Sequence, residues 1–320
     1  MIMNVFADAS TLPLPNHYPG KVRDVYDLED GRLVMATSDR LSAFDRAITA
    51  VPHKGAILNA ITKFWFDRTA DIVPNHVIDY PDPNVMVVKK LKMLPVEVVV
   101  RAYMTGSTGT SIWTKYKNGE REMYGHRFPE GMVKNQKLDK NILTPTTKGK
   151  SDDPISGAEI VAKGLVEEKL WQQVEEKALA LFAHGQKIAA KQGLILVDTK
   201  YEFGVDDKGV LHVGDEIHTP DSSRYWIAST YDALFAAGKD PEGLDKEFVR
   251  LWLTQRMEDP YKSPIPAITP ADLEMFSAKY QTLYEKVTGQ KYAPDPSDTP
   301  INQRVLKNIQ PYTRVTEDAR

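Results

Sequence analysis

Alternation of apolar and polar positions marks the first third of the chain as strand-forming. Residues 22–28 and 32–37 flank Glu29-Asp30-Gly31, a glycine-containing turn, and predict a hairpin. Residues 85–90 and 96–101 predict a second strand pair around 91–95. Within it, Val98-Val99-Val100 does not alternate, which predicts a strand covered on both faces. A third hairpin is expected from residues 194–205 and 210–216, turning at 206–209.

The helical period appears later. Ser156 and Glu159 have capping-box spacing, and Leu170, Val174, Ala178, Leu181, Gly185 and Ile188 then recur at three and four, predicting one helix that stops at Gly193. Further on, Phe248, Leu251, Trp252 and Gln255 are expected to share a face. A last helix opens at Thr269-Pro270, with Leu273, Phe276, Tyr280 and Val287 as its stripe and Gly289 as its stop. Between the strands and these helices, residues 105–153 are polar and rich in Gly, Lys and Thr, and read as a long functional loop. Residues 294–299, rich in Pro and Asp, read as a tether. Strands first, then mixed elements, then helices is an α+β order rather than repeated βαβ units.

Composition narrows the function. The 320 residues suggest two lobes, or one large domain with appendages, at about 100–200 residues per domain. Lys and Arg number 41 against 44 acids, a net charge of −3, so nothing favours a polyanionic partner and nucleic-acid binding is not expected. An apolar share of 42% with 27% charged residues is a globular balance, without a run apolar enough for a membrane span or a secretory leader. With no cysteine, disulfides, thiolate metal sites and a cysteine nucleophile are excluded, and a cytoplasmic enzyme is the expectation.

Familiar catalytic motifs are missing: no P-loop, G-x-G-x-x-G, H-E-x-x-H or G-x-S-x-G occurs. Four other places carry chemistry. In Gly20-Lys21-Val22-Arg23-Asp24, strand alternation would put Lys21 and Arg23 on one face beside a glycine, which suits a triphosphate and equally describes a solvated strand. In the third hairpin, Asp198, Lys200 and Glu202 share a face by alternation. A symmetric turn would set Asp215 opposite Lys200 and diagonal to Glu202, two carboxylates suited to Mg²⁺; the same residues could form a surface ion-pair ladder. Arg101, followed by Thr105-Gly106-Ser107-Thr108-Gly109, could cradle a phosphate or carboxylate, or simply end a strand in a flexible loop. Lastly, Ser38-Asp39-Arg40-Leu41-Ser42-Ala43-Phe44-Asp45 and Thr219-Pro220-Asp221-Ser222-Ser223-Arg224 set arginines among hydroxyls, a composition that binds anions and also caps turns.

Two longer stretches make the combination specific. The run from Leu94-Pro95-Val96-Glu97 through Arg101-Ala102-Tyr103-Met104-Thr105-Gly106-Ser107 resembles the first signature of the phosphoribosylaminoimidazole-succinocarboxamide synthases, the SAICAR synthetase family. Leu196-Val197-Asp198-Thr199-Lys200-Tyr201-Glu202-Phe203-Gly204 resembles the second, and the shorter motifs follow in the family's order. Thr144-Pro145-Thr146-Thr147-Lys148 and the length resemble the family's longer form. One stretch departs: many relatives carry His-Asp before the Ile-Ser pair, where this chain has Ser151-Asp152-Asp153-Pro154-Ile155-Ser156.

The resemblance implies an α+β fold of kinase-like or ATP-grasp-like kind. An antiparallel-sheet N-terminal lobe, residues 1–93, would accompany a larger α/β lobe, residues 94–320. It implies an ATP-dependent ligase that joins L-aspartate to the carboxylate of carboxyaminoimidazole ribonucleotide, with ATP and Mg²⁺ and without nucleic-acid or membrane partners. The longer form leans towards a monomer. By the same resemblance Lys21, Arg23, Lys89 and Met93 hold ATP, joined by Glu202 and Asp215 as metal ligands. Ser42, Arg101, Ser107, Asp152 and Arg224 bind the other substrates, and Asp45, Asp198 and Lys200 serve the reacting centre. A small-molecule kinase would use similar phosphate-holding residues but lacks its Gly-rich loop, H-R-D and D-F-G here. An ATP-binding regulatory module would leave Arg101–Ser107 and residues 221–224 without a task.

Overall fold

A computed structural model describes residues 4–44, 46–107, 111–149, 152–244, 246–296 and 299–313, with only the backbone of Glu247. The first hairpin forms where alternation and turn place it. β2 (Arg23–Asp27) runs through Glu29 and Gly31, both at positive φ, into β3 (Arg32–Thr37), with Tyr26 opposite Val34. β1 (His17–Tyr18) adds to the outer side of β2. β4 (Arg40–Ala43) and β5 (Arg46–Ala50) make a separate ribbon, and α1 (Lys54–Thr69) follows. β6 (Val77–Asp82) and β7 (Val85–Lys89) complete a five-stranded antiparallel sheet in the order β1-β2-β3-β7-β6. One face of it buries Tyr26, Val34, Ala36, Val85 and Val87; the other buries Met35, Met86 and Val88.

The second strand pair expected from the sequence does not form. β8 (Lys92–Met104) turns away from β7 into another sheet, where it lies between β11 (Gln136–Leu143) and β13 (Leu194–Val205). Residues 91–95 are not a hairpin turn: β8 has already begun at Lys92, and Pro95, which lacks an N–H, sits where the β8–β13 register shifts between Glu202 and Gly204. Val98-Val99-Val100 is not covered on both faces either. Val98 and Val100 are fully buried and Val99 only partly, because it shares the open face with Glu97 and Arg101.

The described residues between 105 and 153 form a structured insertion rather than a loop. They hold α2 (Ile112–Lys117), the short β9 (Glu122–Met123) and β10 (His126–Arg127), then β11 and β12 (Thr146–Thr147). Their apolar residues are too sparse to show a period, yet Ile112, Tyr116, Met123, Tyr124, Phe128, Leu138 and Ile142 gather with Met104 into one cluster. The single helix expected after Ser156 is two. Ser156 and Glu159 form the capping box of α3 (Gly157–Ala162), and Gly164, at φ +66, breaks the chain before α4 (Glu168–Lys191). α4 buries Val174, Ala178, Leu181 and Gly185 as expected and packs along β13, β11 and β8. β14 (Leu211–Gly214) and β15 (Ser223–Ile227) flank β13, and α5 (Ala228–Ala236) follows.

Three helical segments remain beyond α6 (Glu247–Thr254). In α6 the buried residues are Val249, Trp252 and Leu253; Leu251 is 54% exposed, so the expected face is rotated. α7 (Pro270–Thr288) has the expected Thr269 cap, a capping box with Asp272 and a left-handed Gly289 stop. It is not the last helix: α8 (Ile301–Asn308) and α9 (Gln310–Thr313) follow, and Ile301, Val305 and Ile309 enter the cluster around Tyr26 and Val34.

The chain divides into two compact units that interleave in sequence. The first comprises Met1–Phe64, His76–Lys90 and Lys246–Arg320; the second comprises Trp65–Asn75 and Leu91–Asp245. This differs from two consecutive lobes at 1–93 and 94–320, because the C-terminal helices complete the core of the first sheet. Among the described residues no helix is long and apolar enough to cross a membrane.

Candidate active site

In the second unit, β8 and β13 pair with Arg101 opposite Asp198, Val99 opposite Lys200 and Glu97 opposite Glu202. Side chains alternate across a strand, so this register gathers Glu97, Arg101, Asp198, Lys200 and Glu202 on one sheet face. A register shift between Leu196 and Asp198, where β13 meets β15, sets Asp198 opposite Arg224. Five of the residues singled out from sequence, Arg101, Asp198, Lys200, Glu202 and Arg224, thus meet on three strands.

They form two groups. In one, Arg101 Nη1 and Arg224 Nη1 both donate to Oδ2 of Asp198, at 3.2 and 2.5 Å. Arg101 Nε also donates to Thr144 Oγ1 at 2.9 Å. Burial pulls the Arg101 guanidinium below its usual range, and Asp198 pulls it back. Two guanidiniums against one carboxylate leave a net positive charge, which fits a phosphate or carboxylate.

In the other, Lys200 Nζ donates to Glu97 Oε1 at 2.7 Å and Glu202 Oε1 at 3.1 Å, while Lys148 pairs with the other Glu202 oxygen. Burial would lower the Lys200 ammonium, but Glu202, Glu97 and Asp215 outweigh it and hold it well above the usual lysine range. Burial likewise works to raise the Glu202 carboxyl, yet Lys200 and Lys148 keep it below its ordinary value.

Asp215 arrives differently from expectation. The hairpin register sets Gly214 opposite Glu202, where a symmetric turn would set Val213, a shift of one residue. β14 ends at Gly214 and Asp215 is left-handed at φ 56, so alternation no longer governs it; its charge still acts on Lys200. Among the described residues no three carboxylates or histidines are placed together for a metal. Glu202 and Asp215 could supply two oxygen ligands to a Mg²⁺ that takes the rest from nucleotide phosphates, the usual mode for this ion.

Met93 lies near the start of β8, opposite Gly204, and is partly exposed. Ser107, just past β8, and Asp152 are both exposed and take no part in either group. Thr108, Gly109 and Ser151 lie outside the described residues.

The first unit holds the remaining residues. Lys21 is not on a strand: β2 begins at Arg23, so alternation does not align the two. The segment is held instead by Arg40, whose guanidinium donates to the carbonyls of Ala7, Gly20 and Lys21 and, at 2.6 Å, to Asp24 Oδ2. A Cβ on Gly20 would stand 2.1 Å from the Arg23 carbonyl oxygen, so only glycine fits this turn. Ser42 sits at the register shift of the β4–β5 ribbon, and Asp45 lies outside the described residues. Lys89 is exposed at the end of β7, opposite Arg32. Asp39 is fully buried and accepts the Phe6 and Gly55 amides, each at 2.8 Å; burial pushes its carboxyl up to about 6.

Sequence reasoning passed over Glu97, Lys148 and Thr144 as functional residues. Glu97 was within reach, since it stands two pairs from Arg101 on the same strand. The partners of Arg40 and Lys148 lie too far along the chain for any local pattern to show.

The sequence pattern of the family described as SAICAR synthetase matches residues 16–267. A phosphoribosylaminoimidazole-succinocarboxamide synthase of Legionella pneumophila is 51% identical over 303 residues, covering 94% of this chain and 96% of that protein. Among solved structures, the SAICAR synthase of Saccharomyces cerevisiae complexed with SAICAR superposes with a TM-score of 0.78 at 31% identity, over 91% of this chain and 99% of that one. A type-2 SAICAR synthetase in complex with ADP superposes with a TM-score of 0.65 at 25% identity, over 87% and 100%.

Proposed function

The chain belongs to the SAICAR synthetase family, and from that premise we propose how its residues divide the work. The reaction is an ATP-dependent ligation in purine biosynthesis: L-aspartate and the carboxylate of 5-amino-1-(5-phosphoribosyl)imidazole-4-carboxylate give SAICAR, ADP and phosphate. A carboxylate oxygen is a poor leaving group towards an amine. Transfer of the γ-phosphoryl group to that oxygen makes an acyl phosphate. The aspartate amine then attacks the acyl carbon, the C–O bond to phosphate breaks, and the amine proton is lost. Such transfer asks for charge neutralisation and in-line placement rather than a protein nucleophile.

The observation that carries the assignment is the shared Asp198 between Arg101 and Arg224, beside the Lys200–Glu202–Glu97 network on the same face. In this reading Arg101 and Arg224 grip the ribonucleotide's anionic groups, with Ser107 contributing a hydroxyl and Asp198 fixing both forks. Lys200 stays cationic and offsets charge developing on the transferred phosphoryl group. Glu202 and Asp215 would hold Mg²⁺, which when bound screens the phosphates. Lys21, Arg23, Lys89 and Met93 serve ATP. Ser42 and Asp45 serve aspartate, and Asp152 is a further substrate contact.

The test is phosphate release from ATP and Mg²⁺ with aspartate and the ribonucleotide omitted in turn. Release that requires both, one ATP per SAICAR, supports the scheme. Slow release with the ribonucleotide alone supports an acyl phosphate leaking to water. Release with aspartate alone would overturn the order of activation.

A further inference from the structure

Beneath the open face of β13 lies a buried pair that the reaction scheme does not use. Tyr201 stands between Lys200 and Glu202 and points, by alternation, to the opposite side, where it is fully buried. Its hydroxyl shares a 2.5 Å hydrogen bond with Nε2 of His218, also fully buried. His218 is held from every side. Trp65 meets its ring edge-on at 4.7 Å, and Tyr225 Oη donates to its backbone carbonyl at 2.7 Å. α4 approaches it at Gly185, where a Cβ would stand 2.4 Å from His218 Cε1. Among the described residues its Nδ1 has no hydrogen-bond partner.

A core imidazole with an unsatisfied nitrogen is a costly way to fill space. The backbone there is also unusual: His218 has φ 52 and Asp215 φ 56, two non-glycine left-handed residues three positions apart. Between β14 and β15 the chain therefore makes a strained excursion, stitched by Thr219 Oγ1 donating to Glu216 Oε2 at 2.5 Å and by Ser223 hydrogen-bonded to Thr199 at 2.7 Å. At one end it carries Asp215, and at the other it leads into Arg224 of β15.

We infer that Tyr201 and His218 are positioning residues, which pin the loop from Asp215 to Arg224 to the underside of the strand bearing Lys200 and Glu202 and so set where the loop's carboxylate and guanidinium stand. The inference rests on the roles proposed above for Asp215 and Arg224. Tyr201 is the right anchor because it moves with its two neighbours: any shift of β13 carries Lys200, Glu202 and the loop together. The pair gives this connection a fixed offset from the strand that bears Lys200 and Glu202.

Tyr201→Phe deletes one hydroxyl and keeps the ring. With a hydrogen bond worth about tenfold at most, it is expected to raise the ribonucleotide KM and the Mg²⁺ concentration for half-maximal activity by about three- to tenfold each. Hydrogen exchange of the amides at 216–223 should quicken in the same variant, a readout independent of turnover. His218→Leu should do the same or more, and His218→Gln, whose amide can still meet Tyr201, should recover part of the loss. If Tyr201→Phe and His218→Leu lower the melting temperature while KM, Mg²⁺ dependence and loop exchange stay put, the pair only stabilises the core and the inference is wrong. Equal losses in His218→Gln and His218→Leu would also overturn it. Arg224→Ala, assayed alongside, separates the premises: an unchanged ribonucleotide KM there removes the Arg224 role itself, whatever Tyr201 does.

Discussion

Lys200 reaches across to Glu97 on the neighbouring strand, Nζ to Oε1 at 2.7 Å, although its direct partner in the ladder is Val99. The diagonal contact leaves Glu202 to share Lys200 with Glu97 rather than to neutralise it alone. Glu97→Gln should throw the whole ammonium onto Glu202 and make that carboxylate a poorer metal ligand. The Mg²⁺ needed for half-maximal activity is expected to rise by about three- to tenfold, a coupling near one kcal/mol. An unchanged Mg²⁺ titration would mean that Glu97 does not tune Glu202.

Arg224 donates to Asp198 from β15, and Arg101 from β8. Arg224→Ala should raise the ribonucleotide KM by about ten- to a hundredfold, the worth of a charge-assisted contact, with a smaller rise for ATP. Arg224→Lys should recover little, because a point charge cannot reproduce a planar fork. Equal rises for both substrates would assign Arg224 to the architecture instead.

Gly20 is fitted against the Arg23 carbonyl, and Arg40 ties the same turn through three carbonyls. Gly20→Ala must displace the turn, and Arg40→Ala must release it. Both should raise the ATP KM about fivefold or more, as misplacement of a binding loop does, while the ribonucleotide KM holds. A rise confined to the ribonucleotide would move this turn out of the ATP site.

Stability should depend on pH through His218. Burial lowers its imidazole to about 3, with His184 adding to the effect, against 6.5 when exposed. Between those values the unfolded chain binds a proton that the folded chain refuses. The associated stability is therefore full above about pH 6.5 and is lost as pH falls towards 3, by about 1.4 kcal/mol per pH unit at most. Asp39 works the other way: raised to about 6, it favours folding at low pH and loses that contribution as pH rises through 6. Urea unfolding from pH 5 to 7 should show the two contributions largely offsetting in the unaltered chain, and a stability that falls with rising pH in His218→Leu, where the Asp39 contribution is left unopposed. Parallel slopes would mean that the imidazole is protonated in the fold.

What the sequence disclosed follows from the range of the forces involved. Turns and caps are local, so the hairpin at β2–β3, the Ser156 and Thr269 capping boxes and the stop at Gly289 were legible. Alternation within one strand placed Asp198, Lys200 and Glu202 on a common face. Pairing between distant strands is not local, and there the reading failed: β8 left β7 for β13, and Val99 turned out to line the open face. Asp215 was misplaced because the turn spans 206–210 rather than 206–209, which shifts the ladder by one residue, and because the ladder ends at Gly214 before a left-handed residue. The polar insertion hid its elements, since its cluster is assembled from apolar residues too far apart to form a period. The reaction was readable from two signature runs; the partners of Arg40, Glu97 and Lys148 needed three-dimensional contacts.

The interleaving of the first unit bears on how this chain is made. Its opening sheet is synthesised first, yet the apolar cluster on one face of that sheet is closed by Ile301, Val305 and Ile309. On a ribosome, the strands around Tyr26 and Val34 must wait with that face only partly covered, by Phe6, Ala9 and Leu12, while the intervening residues emerge. Residues 91–245 form a nearly self-contained stretch that can condense in the meantime. The order of birth is thus not the order of completion, and the early strands face the longest exposure to other nascent chains. Chaperone engagement should concentrate on the first ninety residues and lapse only once α8 is free to pack against them.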